Sequence, residues 1–264
     1  MSKKRVGLFC AIVAVLVMVF LISPLIIVVI SSFSSATMLK FPIQEFSLKW
    51  YEKIFDASTH FMDGLKNSLL IGLCATCFDV ILGVTAALSV TRHNFRGRNL
   101  LLNYFTSPMY VPSVAFSFVL LQVFSKIGGI PGELRVFAGH FIIIMPYIVR
   151  NTVSVLHSFN WNLEEAATSL GAGPVQVFFK VTLPLAKPGV LAGAVLAFLY
   201  SFDEVALSTL LTTAKFNTLP IRIMNYMELT FDPALAAIST LLIFGAFVVI
   251  LLLDKLVGLD MFVK

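Results

Sequence analysis

From Val6 to Ile30 the chain runs without a single charged residue. Crossing a bilayer takes about 20 mostly apolar residues, so this stretch is long enough to span one. It exceeds the roughly 7–15-residue apolar core of a cleaved signal peptide, and no small-x-small cleavage site follows it, which predicts an uncleaved signal anchor. The same length criterion marks six spans, at 6–31, 67–91, 100–125, 134–156, 186–212 and 234–257. Hydrophobic residues make up 58% and charged residues 12% of the 264 positions, and mean hydropathy is +0.94. A soluble domain carries about a quarter charged residues and could not hide this much apolar surface. Soluble enzymes, secreted disulfide scaffolds and disordered tails are thereby excluded. Period-2 alternation of the β-barrel kind is absent. The expected fold class is an all-α membrane protein, a single domain over 1–264 with six transmembrane helices.

Six spans put both termini on one side, and Lys and Arg choose which. With 1–5, 92–99, 150–187 and 255–264 inside, that side holds eleven of them, against eight on 33–66, 126–135 and 213–233. The tightest clusters decide. Arg92, Arg96 and Arg98 adjoin a short loop, Lys3-Lys4-Arg5 abut the first span, and short basic loops stay cytoplasmic. The expected topology is N-in and C-in. No soluble domain exists to present the +5 net charge to nucleic acid. On the outer side, Trp50, Tyr51 and Phe55 among mixed charges in 33–66 suggest a helix lying at the lipid interface. The other outer connections read as short.

Reactive groups are scarce. Cys10, Cys74 and Cys77 all fall in apolar runs; Cys74-x-x-Cys77 has redox spacing without a soluble βαβ context, and helix packing is the simpler reading. His60, His93, His140 and His157 show no metal-ligand spacing, and His140, alone within a span, reads as a buried hydrogen-bonded side chain. No Gly-x-Ser-x-Gly, His-Glu-x-x-His or Gly-x-x-x-x-Gly-Lys-Ser/Thr occurs. The chain is therefore expected to be no enzyme, to hold no metal and to hydrolyse no ATP itself. Gly189-x-x-x-Gly193, with Ala194 and Ala197, predicts close helix approach in the fifth span.

The long inner loop 157–187 is more informative. Asn162 can cap a helix whose first turn holds Glu164 and Glu165, where the dipole favours acids. Leu163, Ala166, Ala167 and Leu170 form an apolar stripe. Gly171 ends that helix in a left-handed turn, Gly173-Pro174 restarts one, and Leu183-Pro184 stops it before the fifth span. Two short, partly apolar helices result. They either fold back on the bundle or present a docking surface.

The spacing Glu165-Ala166-Ala167, three residues, Gly171, nine residues, Val181-Thr182-Leu183-Pro184 resembles the signature of permease subunits of binding-protein-dependent ABC importers. Only Val181, in place of Ile, departs from it. The span count, the topology and the position of the loop between spans four and five are similar too. Ser201-Phe202-Asp203-Glu204, Thr218-Leu219-Pro220 and Asp232-Pro233-Ala234 resemble the spermidine/putrescine branch, which also includes opine and phosphonate permeases. The resemblance implies a type I importer fold, with Glu165, Ala166, Ala167, Gly171, Leu183 and Pro184 docking on a separate ATPase. Its implied partners are two ATPase subunits, which bind ATP and Mg, a second permease subunit, different or identical, and an external solute-binding protein, all in a lipid bilayer. It implies inward movement of a small polar, polyamine-like cation.

Three acids lie inside apolar spans: Asp79, Asp203 and Glu204. A charged residue at mid-span costs about 2.5–3.5 kcal/mol on insertion scales, so each calls for a reason. On a helix Ser201, Glu204, Ser208 and Thr212 share one polar face, with Asp203 about 100° away. Ser201, Asp203, Glu204 and Ser208 either line a substrate path or bond the helices together; Asp79 reads as structural. In Ser107-Pro108-Met109-Tyr110-Val111-Pro112 two prolines break helical bonds at membrane depth, which is tolerated where backbone is buried or lines a cavity. Tyr110 is a candidate cation–π contact for an alkyl-ammonium. Met109 stands where some polyamine permeases carry an acid. The competing class is an ion-coupled secondary transporter using the intramembrane carboxylates, although the inverted repeats common in that class are absent.

Overall fold

The structure, a computed structural model, describes the backbone of residues 3–257 and the side chains of residues 10–251. The side chains of Lys3, Lys4 and Arg5, and those of the tail 255–264 expected on the same side, lie outside the described residues. Among the described residues every regular element longer than a bridge is helical. In chain order these are α1 (Lys3–Ser31), α2 (Lys49–Ile54), α3 (Phe61–Arg92), α4 (Arg98–Thr106), α5 (Ser113–Ile127) and α6 (Gly132–His157). Then come α7 (Asn162–Ser169), α8 (Pro174–Val177), α9 (Leu183–Asp203), α10 (Ala206–Leu211), α11 (Leu219–Leu229) and α12 (Ala234–Val257).

Five helical stretches are long and apolar enough to cross a membrane: Cys10–Ser31, Phe61–Arg92, Gly132–His157, Pro174–Asp203 and Ala234–Leu251. The pair Arg98–Tyr110 and Ser113–Ile127, bent by 105°, makes a sixth when counted as one broken span. The break falls at the two prolines: Ser107–Tyr110 tightens to a 3₁₀ turn, Val111 is extended, and α5 starts after Pro112. Proline cannot donate a helical bond, so a continuous span over 100–125 was not available.

The chain divides into two compact units, residues 63–221 and residues 1–62 with 222–264. In the first, α3, α6 and α9 build the core, with Ala75, Ala87, Ile144, Ile148, Val149 and Ala197 fully buried. Small residues let α6 and α9 close tightly. A Cβ added to Gly189 would lie 2.6 Å from the Asn151 carbonyl oxygen, and one on Gly193 2.8 Å from Ile148 Cα. This is the approach that the Gly-x-x-x-Gly spacing predicts.

In the second unit α1 and α2 pack against α12. Cys10–Leu21 of α1 is exposed throughout, as suits a helix apolar all round whose solvent is lipid. The helix expected in 33–66 is the short α2, whose Trp50 and Ile54 point into the unit while Phe55 stays exposed. Lys53 Nζ lies 2.8 Å from Asp232 Oδ2, which also accepts from the Tyr226 hydroxyl at 2.8 Å. Hydrogen bonds to Asp232 and Tyr226 raise the Lys53 ammonium above its ordinary pKa.

Three expectations are corrected. The fifth span, read as continuous over 186–212, ends at Asp203, because Glu204 turns extended and its Oε1 accepts from Leu207 N at 3.0 Å, capping α10. Leu183-Pro184 does not stop the preceding helix. Residues Phe178–Thr182 wind as a π-turn, with Leu183 N donating to Phe178 O, and lead straight into α9. Pro184 stands in the first turn of α9, where its missing N–H is tolerated. The stretch 213–233, expected on the outer side, is more than a short connection, since it contains α11.

Candidate coupling surface and translocation-path residues

Every turn of the loop between α6 and α9 has a local cause. Asn160 Oδ1 accepts from Asn162 N at 3.2 Å, so the capping side chain is Asn160 and Asn162 is the first helical residue. At the other end Gly171 adopts φ +88. Its N–H bonds Thr168 O at 2.9 Å, and Ala172 N bonds Ala167 O at 3.1 Å. These two bonds form the Schellman pattern, which satisfies the last carbonyls of a helix only if the residue at the turn goes left-handed. Pro174 then opens α8 with its φ already set.

The result is a surface with two faces. Glu165, Ala166, Gly171 and Pro184 are exposed, and Ala167 and Leu183 are half-buried. Leu170 is 90% exposed, and Val175 and Phe179 are exposed as well. Inward, Val177 and Thr182 are buried. Glu164, the one buried residue of α7, pairs with Arg92 Nη2 at 2.8 Å. A groove of about 500 Å³ runs between Arg92, Trp161, Glu164, Glu165, Thr168 and Ser169. Sequence reasoning missed the Arg92–Glu164 pair, since nothing in the spacing joins a span terminus to a loop so far along the chain.

The polar residues of the fifth span separate once α9 breaks. Ser201 and Ser208 are buried and converge on one side chain: His140 Nδ1 lies 2.8 Å from Ser201 Oγ, and Nε2 lies 3.2 Å from Ser208 Oγ. His140 therefore bridges α6 to both sides of the break, satisfying both ring nitrogens, as a buried histidine requires. Glu204 is buried at the cap of α10, whereas Asp203 is exposed. Glu204 and Asp203 thus differ in environment rather than in angle on one helix. Tyr110 is 74% exposed at the end of the 3₁₀ turn. Asp79 is fully buried, with neither carboxylate oxygen partnered and Thr76 Oγ1, one turn back, unpartnered too.

Residues 79–261 match the family model described as binding-protein-dependent transport system inner membrane component. The chain belongs to this family. It is 29% identical over 234 residues to the spermidine/putrescine transport system permease protein PotC of Escherichia coli (strain K12), covering 88% of this chain and 87% of the relative. It is 30% identical over 231 residues to the putrescine transport system permease protein PotI of the same strain, covering 85% of this chain and 82% of the relative. Among solved structures, a chain of the bacterial alginate ABC transporter, in complex with its alginate pentasaccharide-bound periplasmic protein, superposes with a TM-score of 0.69. Its sequence is 17% identical, over 96% of this chain and 94% of that one. The all-α fold is thus that of ABC importer permeases, and the chain is an inner-membrane permease component.

Proposed function

We propose that this chain is one permease subunit of an importer for polyamine-like cations, with both termini cytoplasmic. In this reading Glu165, Ala166, Ala167, Gly171, Leu183 and Pro184 form the surface that docks on one of two separate ATPase subunits. A second permease subunit completes the membrane part, and an external binding protein delivers the solute. ATP and Mg belong to the partner subunits. The whole chain is a single transport domain, its two compact units included. The observation that carries the reading is the exposed turn at Gly171 inside a chain whose residues 79–261 match the family. The names of PotC and PotI support the cation. Ion-coupled transport is not favoured: of the three acids proposed as coupling sites, Glu204 caps a helix and Asp79 is sealed in the core.

Proteoliposomes holding the assembled transporter, with labelled spermidine and putrescine, test this. Uptake is expected to require ATP and to survive collapse of the ion gradients; uptake driven by a gradient without ATP would restore the secondary-transporter reading.

Asp203 is the acid assigned to the solute path. Hydrogen bonds to charged groups contribute about 1.5–3 kcal/mol, so Asp203→Asn is expected to lower uptake roughly ten- to hundredfold at equal protein level. Glu204→Gln keeps an acceptor for Leu207 N and is expected to transport normally. Glu204→Ala loses the cap and about 1 kcal/mol of stability, seen as a lower unfolding temperature with transport per molecule unchanged. Wild-type uptake by Asp203→Asn would return that residue to a structural role.

A further inference from the structure

We infer that Glu164 is the strut that transmits movement of the coupling loop to the spans on either side of it, with Arg92 and Thr182 as its anchor points. The inference rests on the reading of this loop as the ATPase-docking surface. An acid in the first turn of an exposed helix ordinarily points to water and gains only the dipole interaction. Glu164 instead points inward, at 4% exposure. Its Oε2 meets the Arg92 guanidinium at 2.8 Å, and its Oε1 accepts from the Thr182 hydroxyl at 2.5 Å.

Arg92 is the last residue of α3, and Thr182 ends the π-turn from which α9 begins. One carboxylate therefore clamps α7 to the ends of two spans, by charge-assisted bonds that are shorter and stronger than neutral ones. The chain itself joins α7 to α9 only through the left-handed turn at Gly171. Without the clamp, a push on α7 would swing it about that turn instead of moving α3 and α9. Two adjacent acids then divide the work: exposed Glu165 faces the partner, and buried Glu164 holds the spans.

The test uses the complete transporter and reads solute moved per ATP hydrolysed, a ratio that lower protein stability alone does not change. Arg92 is half-exposed, so its removal empties no core. Arg92→Ala and Glu164→Gln are expected to assemble with the ATPase subunits yet to lower the ratio about tenfold. The double variant should fall no further than either single one, since both remove the same contact. Arg92→Lys should recover part of the ratio. Wild-type ratios in both single variants, or losses that multiply in the double, would overturn the strut while leaving the docking surface in place. A wild-type transporter that imports without ATP would overturn the docking surface and the strut together.

Discussion

Gly193→Val is expected to abolish folded protein. A Cβ at Gly193 would lie 2.8 Å from Ile148 Cα and 3.0 Å from the Tyr147 carbonyl oxygen. Both are backbone atoms, which no rotamer change can move aside. Overpacking a core costs typically about 1–3 kcal/mol, and a clash with backbone belongs at or above the upper end. The α6–α9 contact is also central to the unit 63–221: Ala197, one turn on from Gly193, is fully buried, and His140 reaches across it to Ser201. Forcing these helices apart would strip the histidine of its partners and open the core along its length. The protein should be recovered aggregated or with a sharply lower unfolding temperature in detergent, and without uptake. Gly245→Val in α12 serves as the comparison, since nothing lies within 4 Å of a Cβ there. It should unfold close to the wild type. Equal unfolding temperatures for the two variants would show that α6 and α9 are not in close contact.

The second large effect is functional rather than structural. Gly171→Val should cut uptake by about tenfold or more while membrane insertion and unfolding temperature stay near wild type. Nothing lies within 4 Å of a Cβ at Gly171, so the whole cost is conformational, roughly 1–2 kcal/mol for a Cβ at φ +88 and more for a β-branched one. The backbone relieves that cost by leaving the left-handed region. In doing so it breaks the Gly171–Thr168 and Ala172–Ala167 bonds and re-aims α7 against α8. The exposed Leu170 that follows α7 then shifts relative to Val175 and Phe179. Asn tolerates the left-handed region better than other non-glycine residues, so Gly171→Asn should retain more transport than Gly171→Ala, and Gly171→Val least. An unchanged uptake rate across the series would mean that the shape of this turn plays no part in coupling.

What the sequence reveals and what it hides follow one physical division. Features set by a residue's immediate neighbours along the chain are legible. A charge-free run such as Val6–Ile30 has only one low-cost solvent, and Gly171 and Gly193 stand where the backbone needs a positive φ or a close neighbour. Even Pro108 and Pro112 announce the broken third span, although its ends, read at 100–125, lie at Arg98 and Ile127. Features set by competition between two local outcomes are harder. Asp203 and Glu204 interrupt the apolar run, yet nothing there signals that the Glu204 carboxylate leaves the helix to cap α10. Pro184 reads as a stop, yet a π-turn carries the helix through it. Pairings between particular polar side chains at distant positions are hidden altogether. His140 is legible as buried and bonded, but not as the bridge between Ser201 and Ser208. Glu164 is legible as a first-turn acid, but not as the partner of Arg92.

The central claim is that the loop 157–187 faces the cytoplasm and receives the ATPase subunits. Cross-linking from single cysteines tests it most directly. The native Cys10, Cys74 and Cys77, all exposed, are first replaced by alanine. Leu170 and Leu229 are the probes, 90% and 88% exposed, one on the loop and one in the stretch 213–233 expected on the outer face. In the assembled transporter Leu170→Cys should cross-link to an ATPase subunit through a short bifunctional reagent, and Leu229→Cys should not. Cross-linking from Leu229→Cys with none from Leu170→Cys would contradict both the topology and the coupling surface.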